Sequence, residues 1–389
     1  MDLISARQGL IALALCCQVV CCALAIGDDA TSLDVRQAAS PSLKIEPIYT
    51  GEVFSNTRGG LSTKGATRYL GLLDLGITLE CETLASSLPG QFHMLTQNTH
   101  GQGLTTEFVG DTQVVSNIDA YRNIMQVSEY WWEYSSDDEF VTFRIGKQEF
   151  NTEFMAMETA SPFVQSTFGL SPSTAFPTFP NQSIGAVLIL QLTDAWRLKS
   201  GVWDAFSRGG TWGFSGNSSV ILAGELEYSY ALVGGRLPGI FSVGAVYESS
   251  ERLDGEYISS VYEYVLQLEQ AVYREENGSD TEQGLSIFAG LYPRVSGEIV
   301  AEDSIGNSLV GGIVYVGLLS GRDRDCMGLG LAWAELYRGG SNEEQVTEVY
   351  YRAQLTPRVT LQPDLQYIAT PSGIYRDAFV VGTRMQVAW

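Results

Sequence analysis

The chain is 389 residues long and 45% hydrophobic, with 41 Gly, 19 Tyr and 16 Phe against only 6 Cys and 2 His. That balance suits a turn-rich β protein and argues against a metal enzyme built on imidazole or thiolate ligands, so no metal and no cofactor is expected. A formal net charge of -22 and the lack of any Lys/Arg run leave no basic footprint for phosphate, which excludes nucleic acid as a partner.

Residues 1–25 read as a signal peptide. Arg7 precedes the apolar run "GLIALALCCQVVCCALA", and Ala23-Leu24-Ala25 forms a small-x-small cleavage site. The run is about 17 residues, at the short limit for a spanning helix. Cleavage removes Cys16, Cys17, Cys21 and Cys22 and leaves Cys81 and Cys326, too few for a disulfide framework. Residues 26–42 lack periodicity and read as a flexible N-terminal segment.

From residue 43 the pattern is repetitive: an alternating segment, a Gly/Asp/Ser/Pro turn, then another segment. Candidate strands fall at 43–54, 68–82, 90–98, 122–134, 139–148, 184–193, 195–206, 219–231, 238–250, 258–273, 283–294, 307–319, 325–337, 345–355, 358–369 and 377–389. In "ILAGELEYSY", Leu222, Leu226, Tyr228 and Tyr230 share one face, while Glu225, Glu227 and Ser229 share the other. In "VYEYVLQLEQAVY", Tyr262, Tyr264, Leu266 and Leu268 oppose Glu263, Gln267 and Glu269. After residue 26 no apolar run is long enough for a transmembrane helix. Alternation alone also fits a soluble sandwich. The signal peptide, the long run of strands and the acidic rows favour an all-β fold, a transmembrane antiparallel β-barrel of about 16 strands over 43–389, with water inside and lipid outside.

The longest interruption, 149–183, is expected to fold inward and narrow the pore, since a wide channel otherwise has no means of discriminating solutes. Strand parity assigns Arg144, Arg197, Lys199, Arg352, Asp364 and Arg384 to the lumen, with Asp74, Thr78, Glu80, Glu225, Glu227 and Gln366 beside them. No catalytic constellation is expected. His93 and His100, in "FHMLTQNTH", lack the spacing of a metalloprotease helix and read as wall or loop residues.

Three stretches carry a family likeness: "RIGKQEFNTEF", "STFGLSPSTAFPTFPNQSIGAVLILQLTDAWRLKSGVWDAF" and "EVYYRAQLTPRVTLQPDLQYIATPSG", with the closing "DAFVVGTRMQVAW". They resemble the carbohydrate-selective porins of the OprB family. The resemblance implies a sixteen-stranded pore in the bacterial cell outer membrane for passive diffusion of sugars, with the inward loop and charged wall residues as its constriction. It implies carbohydrates and outer-membrane lipid as partners. It also implies that barrel-assembly machinery reads Trp389, although the family more often ends in Phe. Between 207 and 344 the likeness is one of pattern only.

In "GKQEFNTEF", Lys147 and Glu149 are the first candidates for the constriction, followed by Asn151 and Glu153. Counted from Arg144, Lys147 falls on the lipid face. Either Gly146 forms a bulge that turns it inward, or it snorkels to headgroups. Asp204 carries the same parity problem beside Lys199. Two other readings are kept: a general cation-preferring porin, favoured by the acidic balance, and an outer-membrane barrel enzyme.

Overall fold

The computed structural model describes residues 43–389 apart from 86, 173–175, 206–208, 216–218, 250–251, 254–255, 258–259, 276–282, 297–304 and 338–342. The expected signal peptide and the 26–42 segment lie outside the described residues.

The alternating segments are strands: β1 (Leu43–Gly60), β2 (Thr67–Glu80), β3 (Gln91–Gly101), β4 (Met125–Ser135), β5 (Val141–Gln148), β6 (Ser183–Gln191), β7 (Trp196–Asp204) and β8 (Val220–Leu232). They continue as β9 (Leu237–Glu248), β10 (Val261–Arg274), β11 (Gly284–Tyr292), β12 (Ile305–Val316), β13 (Cys326–Leu336), β14 (Glu343–Thr356), β15 (Val359–Ala369) and β16 (Arg376–Ala388). β11 resumes as Arg294–Ser296 beyond Pro293, which has no N–H to give the ladder. A two-residue ribbon, Arg252–Leu253 against Glu256–Tyr257, lies between β9 and β10.

Each strand pairs antiparallel with its chain neighbours, and β16 returns to β1 in a register running from Ile48↔Ala388 to Gly60↔Arg376. That pairing closes the barrel and removes its sheet edges. One rim carries short turns, such as 192–195, 233–236 and 357–358, and the other the long connections 102–124, 149–182 and 205–219.

The faces follow the alternation. Leu222, Tyr262, Tyr264 and Leu266 are 39–49% exposed on the outside, while Glu225, Glu263 and Gln267 are at most 3% exposed inside. The inner face is nevertheless not uniformly polar. Its main apolar cluster joins Phe150, Phe154, Phe163 and Phe168 of the 149–182 connection to Trp203, Val265, Phe288, Tyr292, Val346 and Tyr350 of the wall. Phe163 stacks on Phe168 with ring centroids 4.4 Å apart and meets Tyr350 edge-on at 4.8 Å. A hydrophobic core inside the barrel is therefore what the connection buries. Parity alone does not show this, because an inward Val or Phe in a wet lumen looks like a lapse in the pattern. At Gly330 an added Cβ would come within 2.6 Å of the rings of Phe163 and Phe168, so the missing side chain makes room for them.

Candidate functional site in the barrel lumen

Two connections enter the barrel, not one. The 149–182 segment follows β5, and the 102–124 segment follows β3. They bond to each other, Asn117 N donating to Val164 O at 2.8 Å and Ser166 N to Val114 O at 3.1 Å. The second entrant lacks alternation just as the first does, and the gap between the strands expected at 90–98 and 122–134 is the signal that could have revealed it.

Wall carboxylates hold both segments by their backbone N–H groups. Glu348 accepts from Val164 N at 2.7 Å and Gln165 N at 2.9 Å. Glu344 accepts from Thr112 N and Gln113 N, each at 2.8 Å, and from Ser372 N at 2.6 Å. Glu269 accepts from Glu158 N and Thr159 N at 3.1 and 2.6 Å, and Glu225 from Met155 N at 3.1 Å. Amide wall groups add to this, Gln366 donating to Val115 O and Gln362 to Pro162 O. Much of the acidic row thus supplies charge-assisted acceptors to loop backbone that would otherwise be buried unpaired.

Four of the expected residues come together. Arg144 pairs with Glu133 of β4 at 2.5 Å and with Glu153 of the 149–182 segment at 3.0 Å, its guanidinium 4.5 Å from the centre of the Trp131 ring. Lys199 sits 2.6 Å from both Glu225 and Glu227 and donates to the backbone oxygen of Glu153 at 2.5 Å. Arg197 continues the row, 3.6 Å from Glu227 and hydrogen-bonded to Gln191 at 3.0 Å. Two charged clusters, Glu133–Arg144–Glu153 on β4–β5 and Glu225–Lys199–Glu227–Arg197 on β7–β8, therefore meet at Glu153, whose carboxylate pairs with Arg144 and whose backbone oxygen accepts from Lys199.

On the far wall Arg384 pairs with Glu52 and reaches Asn117 of the 102–124 segment, while Arg352 donates to Gln386 at 3.2 Å. Asp364 is buried as a diagonal neighbour of Glu348 and accepts from Gln366. It supports the loop anchor. Glu149 accepts from Gln182, which also donates to Gln97, itself bonded to Asp74. Burial first, and the neighbouring Glu129 second, push the Glu149 carboxyl up to about 8. Asp111 in the other segment is likewise pushed up to about 8, by burial and then by the charge of Glu344.

Three expected site residues stand elsewhere. Lys147 is 1% exposed, and its ammonium donates to Val127 O at 3.1 Å and to Gly209 O. The register of β5 with β4 and β6 runs through Gly146 without a shift, so no bulge turns Lys147 inward. It does not snorkel either, because the connection after β7 covers it, with Trp212 stacked on Tyr130. Gly146 has φ +140, and an added Cβ there would lie 2.3 Å from Tyr130 O, which explains the glycine. Asp204 accepts from Ser215 N at 2.5 Å and Ser215 Oγ at 2.8 Å, so it organises that same connection. Asn151 accepts from Thr178 Oγ1 at 2.7 Å within its own segment. Glu52, Asn117, Glu133, Glu344 and Glu348 are the site residues that parity and motif did not single out.

Below the 149–182 segment, toward the rim of short turns, the lumen opens into a cavity of about 390 Å³, bordered by Arg197, Glu227 and Glu269.

A sequence profile described as "Carbohydrate-selective porin, OprB family" matches residues 64–389. Porin B of Pseudomonas aeruginosa is 21% identical over 88% of this chain and 86% of its own. The high-pH structure of Pseudomonas putida OprB superposes with a TM-score of 0.76 at 20% identity, covering 89% of this chain and 94% of that one. The low-pH structure of the same protein gives 0.59 at 19% identity, covering 89% and 92%. These solved structures share the closed barrel.

Proposed function

The chain belongs to the OprB family of carbohydrate-selective porins, and from that premise we propose that sugars cross it at an eyelet formed by the 102–124 and 149–182 segments against the charged wall around Arg144 and Lys199. As a member of that family it is an outer-membrane carbohydrate porin. The proposal concerns how the passage is built and which side chains meet the solute.

The observation that carries it is Arg144, whose guanidinium joins wall to loop by bridging Glu133 and Glu153. A guanidinium between carboxylates offers donors and acceptors side by side, which is what a polyol needs to exchange its hydration for protein contacts. Each such bond nets about 1.5–3 kcal/mol, enough to favour the sugar and too little to trap it. The acidic balance alone is a weak argument for a cation channel, because Glu225, Glu269, Glu344 and Glu348 are engaged by loop N–H groups.

The barrel and the family indicate a channel. We read the two histidines as non-catalytic: His93 hydrogen-bonds Thr78 and stacks on Trp131, while His100 lies on the opposite face of β3 against Tyr49 and Tyr69. Lipid is assigned to the exposed apolar outer face, and Trp389, 60% exposed, is assigned to the assembly machinery. With short turns on the periplasmic side, the long connections face outward from the cell.

Replacing Arg144 with Gln, or Glu153 with Gln, tests the eyelet in proteoliposome swelling. Either change should reduce the advantage of neutral sugars over zwitterions of similar size. An unaltered preference in both variants would remove these residues from the passage.

A further inference from the structure

The cavity beneath residues 156–161 lies off the eyelet, between that segment and the inner walls of β6–β10. Its lining combines three kinds of surface. Arg197 supplies guanidinium donors with its side chain 50% exposed, and Gln191 beside it accepts from Arg197 at 3.0 Å and gives one amide hydrogen to Thr193 O at 2.7 Å, which leaves its second amide hydrogen as a donor. Glu227 and Glu269 supply acceptors, and the Glu269 carboxylate is fixed by two loop N–H groups. Met157 and Ile240 add an apolar patch. The 3.6 Å between Arg197 and Glu227 exceeds a direct hydrogen bond, so one hydroxyl can bridge them by accepting from the first and donating to the second.

We infer that this cavity is a second, release-side subsite for a neutral pyranose monosaccharide, in series with the eyelet. The inference rests on the reading of the chain as a sugar channel. About 390 Å³ lies within the size range of small-molecule sites. The pairing of an apolar patch with an alternating donor and acceptor rim matches a pyranose, which is apolar across its ring face and polar at its edge. The cavity shares Glu158, Ser161 and Glu269 with a wider vestibule of about 980 Å³ toward the short-turn rim. A sugar held there is therefore accessible from the periplasmic side without crossing the eyelet.

The test is sugar-induced current noise of the full porin in planar bilayers, with D-glucose added to one side at a time. Two stations predict two relaxation components, with stronger half-saturation from the short-turn side. Arg197→Gln should raise the half-saturating glucose concentration from that side by about tenfold, the loss of one charge-assisted bond, and leave the loop-side component in place. Gln191→Ala, at the very end of β6, should act in the same direction and guards against a folding defect in the first variant. One component, with equal half-saturation from both sides and unchanged in both variants, would overturn the second subsite and leave the eyelet standing. A parent channel with no glucose-dependent noise from either side would overturn both readings.

Discussion

Replacing Glu348 with Ala removes the acceptor for Val164 N and Gln165 N, at a position where the side chain is fully buried. An orphaned buried N–H costs about 1–3 kcal/mol, and water entering from the lumen meets part of that need, so the net loss for the pair is about 2–3 kcal/mol. Burial of one phenyl in the same segment, such as Phe163, is worth a similar 1.5–3 kcal/mol, so the tip stays docked most of the time. Its transiently undocked population should rise roughly 30- to 150-fold. In single-channel recordings this appears as brief excursions to higher conductance, absent from the parent, with the heat-modifiable barrel still formed. Glu348→Gln keeps one acceptor oxygen and relieves the charge beside Asp364, so it should lie much closer to the parent. An Ala variant with an intact barrel and recordings identical to the parent would refute the role of the wall carboxylates as loop anchors.

Gly330→Val should displace Phe163 and Phe168, because an added Cβ alone already falls within 2.6 Å of both rings; overpacking of about 1–3 kcal/mol should show as raised conductance without loss of the barrel. The pH dependence has a definite sign. Asp111 holds its proton to about pH 8 in the docked 102–124 segment and only to the ordinary range near pH 4 when undocked. Docking should therefore weaken as pH rises from about 4 to 8 and then level off, and channel noise between pH 5 and 8 should flatten in Asp111→Asn, most completely when combined with Glu149→Gln. Lys147→Ala should loosen the connection after β7, measured as faster proteolysis there, while sugar preference is unchanged, since its ammonium binds Val127 O and Gly209 O.

Period-two alternation carried the barrel: Leu222, Tyr262 and Leu266 face out, Glu225 and Gln267 face in, and every alternating segment became a strand, the first of them running six residues past its expected end at 54. Parity also placed Arg144, Arg197, Lys199 and Arg384 on the inner wall. It failed where tertiary covering overrides the face. Lys147 has an outward parity and yet is buried, because a connection from distant β7 folds over it, and nothing local to "GKQ" announces that contact. The carboxylates looked like a wet lumen lining because their partners are loop N–H groups far away in sequence: Glu344 meets Thr112, and Glu348 meets Val164. A one-dimensional pattern reports which face a side chain takes. It does not report what is folded against that face.

The most direct measurement of the central claim is swelling of proteoliposomes carrying the parent protein in isotonic neutral monosaccharides and in zwitterions of matched size. A passage built from the Glu133–Arg144–Glu153 bridge and the Lys199 pairs predicts faster swelling in the sugars at equal solute mass. Rates that follow solute mass alone would contradict it.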